Sequence, residues 1–192
     1  MLRSVLFTAL IAFSATANAE GFDYNYLSLS YEQIDIDDGF FNADGDGFGL
    51  SGSFEISESF FLFAGYSMGE LESIVDVDQL SAGVGWHTPL SDKLDFVAGL
   101  SYERIELSAS GFGSADEDGY GAGIGLRFQA TDAVELNGGI NYVDYGSDGD
   151  DTAFGVGALF GVTENIDIGV HGDWAEDTST YGISGRFYFG SN

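Results

Sequence analysis

Between Gly119 and Phe128 the chain alternates without a break: glycine at 119, 121, 123 and 125, then Arg127, with Tyr120, Ala122, Ile124, Leu126 and Phe128 between them. Successive side chains of a strand point to opposite faces, so one face here is bare or charged and the other apolar. Aromatic residues bound an aliphatic middle over about ten residues, the signature of a strand that crosses an outer membrane.

The same pattern recurs along the chain. It predicts strands at Tyr24–Glu32, Gly47–Ile56, Phe60–Met68, Gln79–His87, Lys93–Arg104, Gly119–Phe128, Ala133–Tyr145, Ala153–Val162, Ile166–Trp174 and Thr180–Phe189. Short turns at 57–59, 88–92, 130–132 and 163–165 alternate with five longer connections, four of them, at 34–46, 69–78, 106–118 and 146–151, rich in Asp and Glu. Even strand number, short periplasmic turns and longer external connections define the expected fold: an all-β transmembrane antiparallel up-and-down β-barrel of ten strands, with eight as the alternative count. Closure removes the sheet edges that lipid would not tolerate.

Composition then narrows the setting. Arg3, the apolar run Val5–Phe13 and Ala17-Asn18-Ala19 read as a secretory signal, so residues 1–19 are expected to be removed and 20–192 to form one barrel domain in the bacterial outer membrane. The chain has no cysteine, 32 acidic residues against five basic ones, and a formal net charge of −27. That charge makes nucleic acid a poor partner. With 44% hydrophobic residues the chain is not disordered, so the charge must be segregated from the apolar stripes.

Strand parity points Glu55, Asp95, Arg127, Glu135, Asp167 and Arg186 into the lumen near the short turns. Arg127 is expected roughly opposite Glu135 and facing Asp95, with Asp167 near Arg186, because an isolated buried ion is costly. Such a cluster would either narrow the bore or simply hold the barrel together. Inward glycines either make room for Phe61, Phe63 and Leu159 or leave volume for water. A ten-stranded bore would be narrow, and excess carboxylate would favour cations.

Asp35, Asp37, Asp38, Asp44, Asp46, Asp76, Asp78, Asp116, Glu117, Asp118, Asp148, Asp150 and Asp151 form an expected external acidic rim. It is suited to loose divalent-ion binding and bridging to lipopolysaccharide phosphates, or to solvation alone. Residues 42–47 imitate the start of a calcium loop, but the twelfth position is Ser53 where a bidentate Glu is needed, so no dedicated metal site is expected. Arg104, outward at the outer edge of its strand, is the candidate lipopolysaccharide contact. His171 and Asp173 share the inward face of one strand and are expected to be a structural pair. With no nucleophile elbow, zinc spacing or phosphate loop, neither enzyme activity nor a cofactor is expected.

The phrases Glu20-Gly21-Phe22-Asp23-Tyr24-Asn25-Tyr26, Phe61-Leu62-Phe63-Ala64-Gly65-Tyr66-Ser67 and Asp78–Trp86 resemble the small, acidic, diffusible-signal-factor-regulated outer-membrane porins of Gram-negative bacteria, and more broadly small barrels of the OmpA/OmpW type. The resemblance runs over residues 20–192. It implies a porin-like barrel with weakly defined transport, inserted by the barrel-assembly machinery. Many such barrels end on an aromatic residue, whereas here Phe187-Tyr188-Phe189 is followed by Gly190-Ser191-Asn192. Slow passive diffusion of small hydrophilic solutes or cations is the first expectation. A closed structural or surface-interaction barrel, binding lipopolysaccharide, divalent cations or host molecules, is the second. Either is expected to be a monomer.

Overall fold

The computed structural model describes residues 22–37, 42–72, 75–109, 111 and 113–190, and the side chain of Asp148 is not among those described. The expected signal peptide and Asp38 lie outside these residues. Ten strands follow in order: β1 (Tyr26–Asp37), β2 (Asn42–Ser57), β3 (Phe60–Leu71), β4 (Val75–Ser91), β5 (Leu94–Ala109), β6 (Gly113–Thr131), β7 (Val134–Asp144), β8 (Asp150–Thr163), β9 (Ile166–Trp174) and β10 (Thr178–Tyr188). Every strand pairs antiparallel with its neighbours, and β1 closes on β10 from Tyr26↔Tyr188 to Ile36↔Thr178. The sheet has no edge. The ten-stranded count therefore stands, and the eight-stranded alternative does not.

The four short connections are two-residue turns at 58–59, 92–93, 132–133 and 164–165. Each of the four hairpins carries a register shift just before its turn, at Glu55/Ser57, Pro89/Ser91, Gln129/Thr131 and Gly161/Thr163. An extra residue there bends the strand and increases its twist. The turn carbonyls do not go unpaired: Ser59, Lys93, Ala133 and Asn165 accept from the backbone N–H groups of His87, Gln129, Gly161 and Tyr188 at 2.9–3.0 Å.

At the other end the strands run further than the sequence pattern predicts. β6 is 19 residues long, yet only Tyr120 to Phe128 presents an outward apolar stripe. Nine residues match what a tilted strand needs to cross a bilayer, so the remainder of β6 stands largely outside it. Most of what reads as acidic loop is strand, including Asp35, Asp37, Asp44, Asp46, Asp116, Glu117, Asp118, Asp150 and Asp151. The expected loops shrink to connections of three to five residues, such as 175–177 and 145–149, the latter holding a short 3-10 turn at Gly146–Asp148. Gly149, at φ 124°, occupies a conformation that side-chain-bearing residues rarely adopt.

The extension is possible because polarity inverts along β1 to β5 and β7 while parity does not. In β1, Leu27, Leu29 and Tyr31 are exposed on the outer face and Ser28 is buried inside; further along, Gln33, Asp35 and Asp37 face out and Ile34 and Ile36 are buried. β4 does the same: Asp76 and Asp78 precede Leu80, Val84 and Trp86 on the outer face, while Val77 precedes Gln79 and Ser81 inside. The lower part of these strands is built for lipid outside, the upper part for water outside. Tyr31, Phe48, Tyr66, Tyr102, Tyr142 and Tyr181 lie on the outer face near the changeover, where amphipathic rings mark the membrane interface.

Candidate functional site

The lumen is the feature on which a porin or a closed barrel must be decided, and it has three levels. At the periplasmic end the interior is filled. The Arg127 guanidinium, 0% exposed, makes a two-point contact with Glu135, Nε donating to Oε1 at 3.1 Å and Nη2 to Oε2 at 3.3 Å. Its Cζ lies 4.8 Å from the Phe22 ring centre and 4.5 Å from that of Tyr24. A guanidinium over aromatic faces in a desolvated site gains from the ring quadrupoles as well as from its carboxylate. The Tyr24 hydroxyl donates to Asp95 Oδ2 at 2.6 Å, and His87 Nδ1 lies 3.0 Å from the same oxygen. The Tyr24 ring stacks on Phe61 and on His87 with centroids 4.5 and 4.1 Å away. Val97 and Phe63 complete this buried cluster.

The charged residues expected in the lumen are centred on two arginines, Arg127 and Arg186. Asp95 is directly opposite Arg127 in the β5–β6 ladder, as its spacing implies. Glu135 is not directly opposite: the ladder pairs Arg127 with Asn137 and Glu135 with Gln129, so the ion pair runs diagonally. The register shift at Ala130 is what the simple turn count omits. The second arginine, Arg186, is opposite Asp167 in the β9–β10 ladder, with its Cζ 3.8 Å from the Tyr26 ring centre, while the Tyr188 hydroxyl donates to Asp167 at 3.1 Å. Glu55 joins neither group and sits at the mouth, where its N–H donates to Asn25 Oδ1 at 2.9 Å.

The middle level is polar and loosely filled. Glycines 49, 65, 83, 99, 123, 139, 157 and 182 and Ser30, Ser67, Ser101, Asn137 and Asn141 face it half-exposed. A cavity of about 30 Å³ is lined by Phe63, Gly99, Ser101, Gly123, Asn137 and Asn141 among others. That is room for a water or two. Both proposed uses of glycine therefore occur together. A methyl group on Gly85 would collide with the Phe61 ring, whereas Gly99 leaves its Phe63 neighbour at ordinary contact distance. His171 Nε2 lies 3.6 Å from Glu32 Oε1 and 3.9 Å from Asp173 Oδ2, so Glu32 stands nearer His171 than its expected partner Asp173 does. Glu103 is buried opposite Ser81, a lumenal carboxylate that the sequence reading passed over.

The outer level holds a hydrocarbon core: Ile34, Ile36, Ala43, Leu71, Val77, Ile105, Val143 and Tyr145, with Val75 and Leu107 packed against it. Burial pushes the Tyr145 phenol pKa up, and the nearby carboxylates of Glu103, Asp151 and Glu117 add to the effect. Glu117 and Asp151 were expected on the external rim, but strand parity turns them inward, half-buried, on this side of the sheet.

Outside, the remaining acids form a collar on the strands. Asp35 is opposite Asp44; Asp46, Glu70 and Asp76 share one row across β2, β3 and β4; Asp78, Glu106 and Asp116 share another across β4, β5 and β6; and Asp144 is opposite Asp150. Like charges directly opposed across strands repel. Arg104 does face outward at this level, but its guanidinium is already engaged, Nη2 with Asp116 at 2.9 Å and Nη1 with Asp118 at 3.4 Å. Among the described residues, no group of three or more His, Cys, Asp or Glu could hold a metal ion.

A closed antiparallel barrel with an apolar outer girdle, short turns at one end and a water-facing extension at the other is a transmembrane β-barrel. The chain belongs to the outer membrane protein beta-barrel domain family, whose profile matches residues 5–161. It is a protein of the bacterial outer membrane. Its fold is shared with solved structures: an outer membrane channel from Pseudomonas putida (11% identity, 90% of this chain and 98% of that one, TM-score 0.55), the NanC porin (9%, 85% and 100%, 0.51) and the KdgM porin (12%, 85% and 99%, 0.50). The architecture is therefore porin-like. No curated protein matches the sequence.

Proposed function

We propose that this protein is a closed outer-membrane barrel whose working surface is the acidic collar it raises above the bilayer. The observation that carries this reading is the inversion of polarity, which places a hydrocarbon core in the outer lumen and most of the carboxylates, Glu117 and Asp151 excepted, on the outer face. Hydrophobic constrictions exclude ions by dewetting, and this one is borne by the strands themselves. The directly opposed carboxylates would be relieved by divalent cations, which in turn bridge to lipopolysaccharide phosphates. In this reading residues 1–19 are removed on export, residues 20–192 insert through the barrel-assembly machinery, and the barrel acts as a monomer without catalysis. Replacing Asp46, Glu70 and Asp76 by their amides should weaken Mg²⁺-dependent retention of lipopolysaccharide on the purified protein, with no change in assembly. Equal retention in the variant and in the unsubstituted protein, with and without a chelator, would remove the collar from the mechanism.

A second reading, slow passive diffusion of small hydrophilic solutes or cations, draws on the half-exposed polar middle of the lumen. Kinship with the diffusible-signal-factor-regulated porins would fit it. It requires both seals to open.

A further inference from the structure

The two seals are built differently. The outer one is made of side chains on ladder-paired strands, so parting them means breaking the sheet. At the periplasmic end strand residues such as Tyr26, Phe61, Arg127, Arg186 and Tyr188 supply most of the filling, and residues 22–25, which precede β1 and belong to no strand, lay Phe22 and Tyr24 over it. Asn25 is the fixed point of this segment: its carbonyl accepts from Phe189 N at 3.0 Å and its side chain accepts from Glu55 N at 2.9 Å.

From that anchor the segment crosses the bore. In the closed order β1-β10-β9-β8-β7-β6-β5-β4-β3-β2, β6 lies five strands from β1 in either direction, which is the opposite wall. Phe22 and Tyr24 reach it, holding Arg127 of β6 against their rings while the Tyr24 hydroxyl bonds Asp95 of β5. Tyr24, 1% exposed, thus lies across the mouth, and its ring covers Phe61 and His87.

We infer that residues 22–25 are a strap, hinged at Asn25, that closes the periplasmic mouth and can leave it without unzipping the barrel. Its withdrawal uncovers Arg127 and Phe61 and widens access from the periplasm to the polar middle of the lumen, while the outer hydrocarbon cluster stays in place. The protein then becomes a cup open on one side, not a pore. This inference is independent of the collar: it concerns the opposite end and would hold if the collar bound nothing.

The absence of cysteine makes a direct test available. Ser101→Cys places a single thiol on the wall of the middle cavity, and its rate of reaction with a small, charged thiol reagent reads access to that cavity. Relative to Ser101→Cys alone, adding Phe22→Ala and Tyr24→Ala should speed labelling about tenfold or more, since both rings on Arg127 are lost. Adding only Tyr24→Phe, which keeps the ring and deletes the bond to Asp95, should give about a fivefold increase. Planar-bilayer conductance of the double-alanine protein should stay at the baseline. Equal labelling rates in the three folded proteins would overturn the strap. If the double-alanine protein does not assemble, the Tyr24→Phe comparison decides alone, and no increase there would overturn it equally. Ion conduction on release of the strap would overturn the one-sided opening.

Discussion

Arg127→Ala is expected to destabilise the folded barrel by about 3–5 kcal/mol, because it leaves Glu135 as a buried carboxylate without its charge partner. The guanidinium is fully buried, bonded twice to Glu135 and faced by two aromatic rings. Its removal costs the ion pair and the ring contacts, and opens a hole beneath Tyr24. The magnitude belongs to the orphaned charge more than to the net worth of the pair. Replacing both partners with apolar residues of similar volume, Arg127→Met with Glu135→Leu, should therefore cost much less than the single change. Urea unfolding of the refolded protein in lipid vesicles, followed by tryptophan fluorescence, measures both. A single-substitution cost below about 1 kcal/mol, the range of exposed ion pairs, would mean that water reaches this level of the lumen.

Ile124→Arg tests the other face of the same strand. Ile124 is at the centre of the outward stripe Tyr120–Phe128 and is 53% exposed to what would be lipid. An arginine at the bilayer midplane costs about 2–4 kcal/mol, falling to about 0–1 near the interfaces. Tyr120→Arg, at the girdle, should accordingly be mild, and Ile124→Arg should show slow or failed assembly as judged by heat-modifiable gel mobility. Equal costs at the two positions would refute the placement of the membrane band.

The wall of the barrel was legible because period-two alternation is a local property: Tyr120 to Phe128 announces its two faces without reference to any other segment. The seals were less so. Gln33-Ile34-Asp35-Ile36-Asp37 and Val75-Asp76-Val77-Asp78 alternate as regularly as the membrane stripes, but with the apolar positions on the opposite parity. Read for charge alone they look like loops; read for parity, they carry the signal that the strands continue into water. The Arg127–Glu135 pair was legible, but its diagonal placement was not, because a bulge adds a residue that no alternation reveals. Tyr24, expected to open the first strand, instead lies before it with Phe22, and nothing local says that they fold back across the bore. Their contacts with β3, β4, β5 and β6 are long-range consequences of closure. The glycines stayed ambiguous in sequence because the same missing side chain accommodates Phe61 at Gly85 and leaves space elsewhere.

The most direct test of the two-level closure is conductance of the purified, refolded protein in a planar bilayer across a salt gradient. The structure predicts a silent membrane, both for the unsubstituted chain and for Phe22→Ala/Tyr24→Ala, because the hydrocarbon core of Ile34, Ile36, Val77, Ile105 and Val143 remains in place. Reproducible, cation-selective single-channel steps from the unsubstituted protein would contradict the account and establish the slow-diffusion reading in its place.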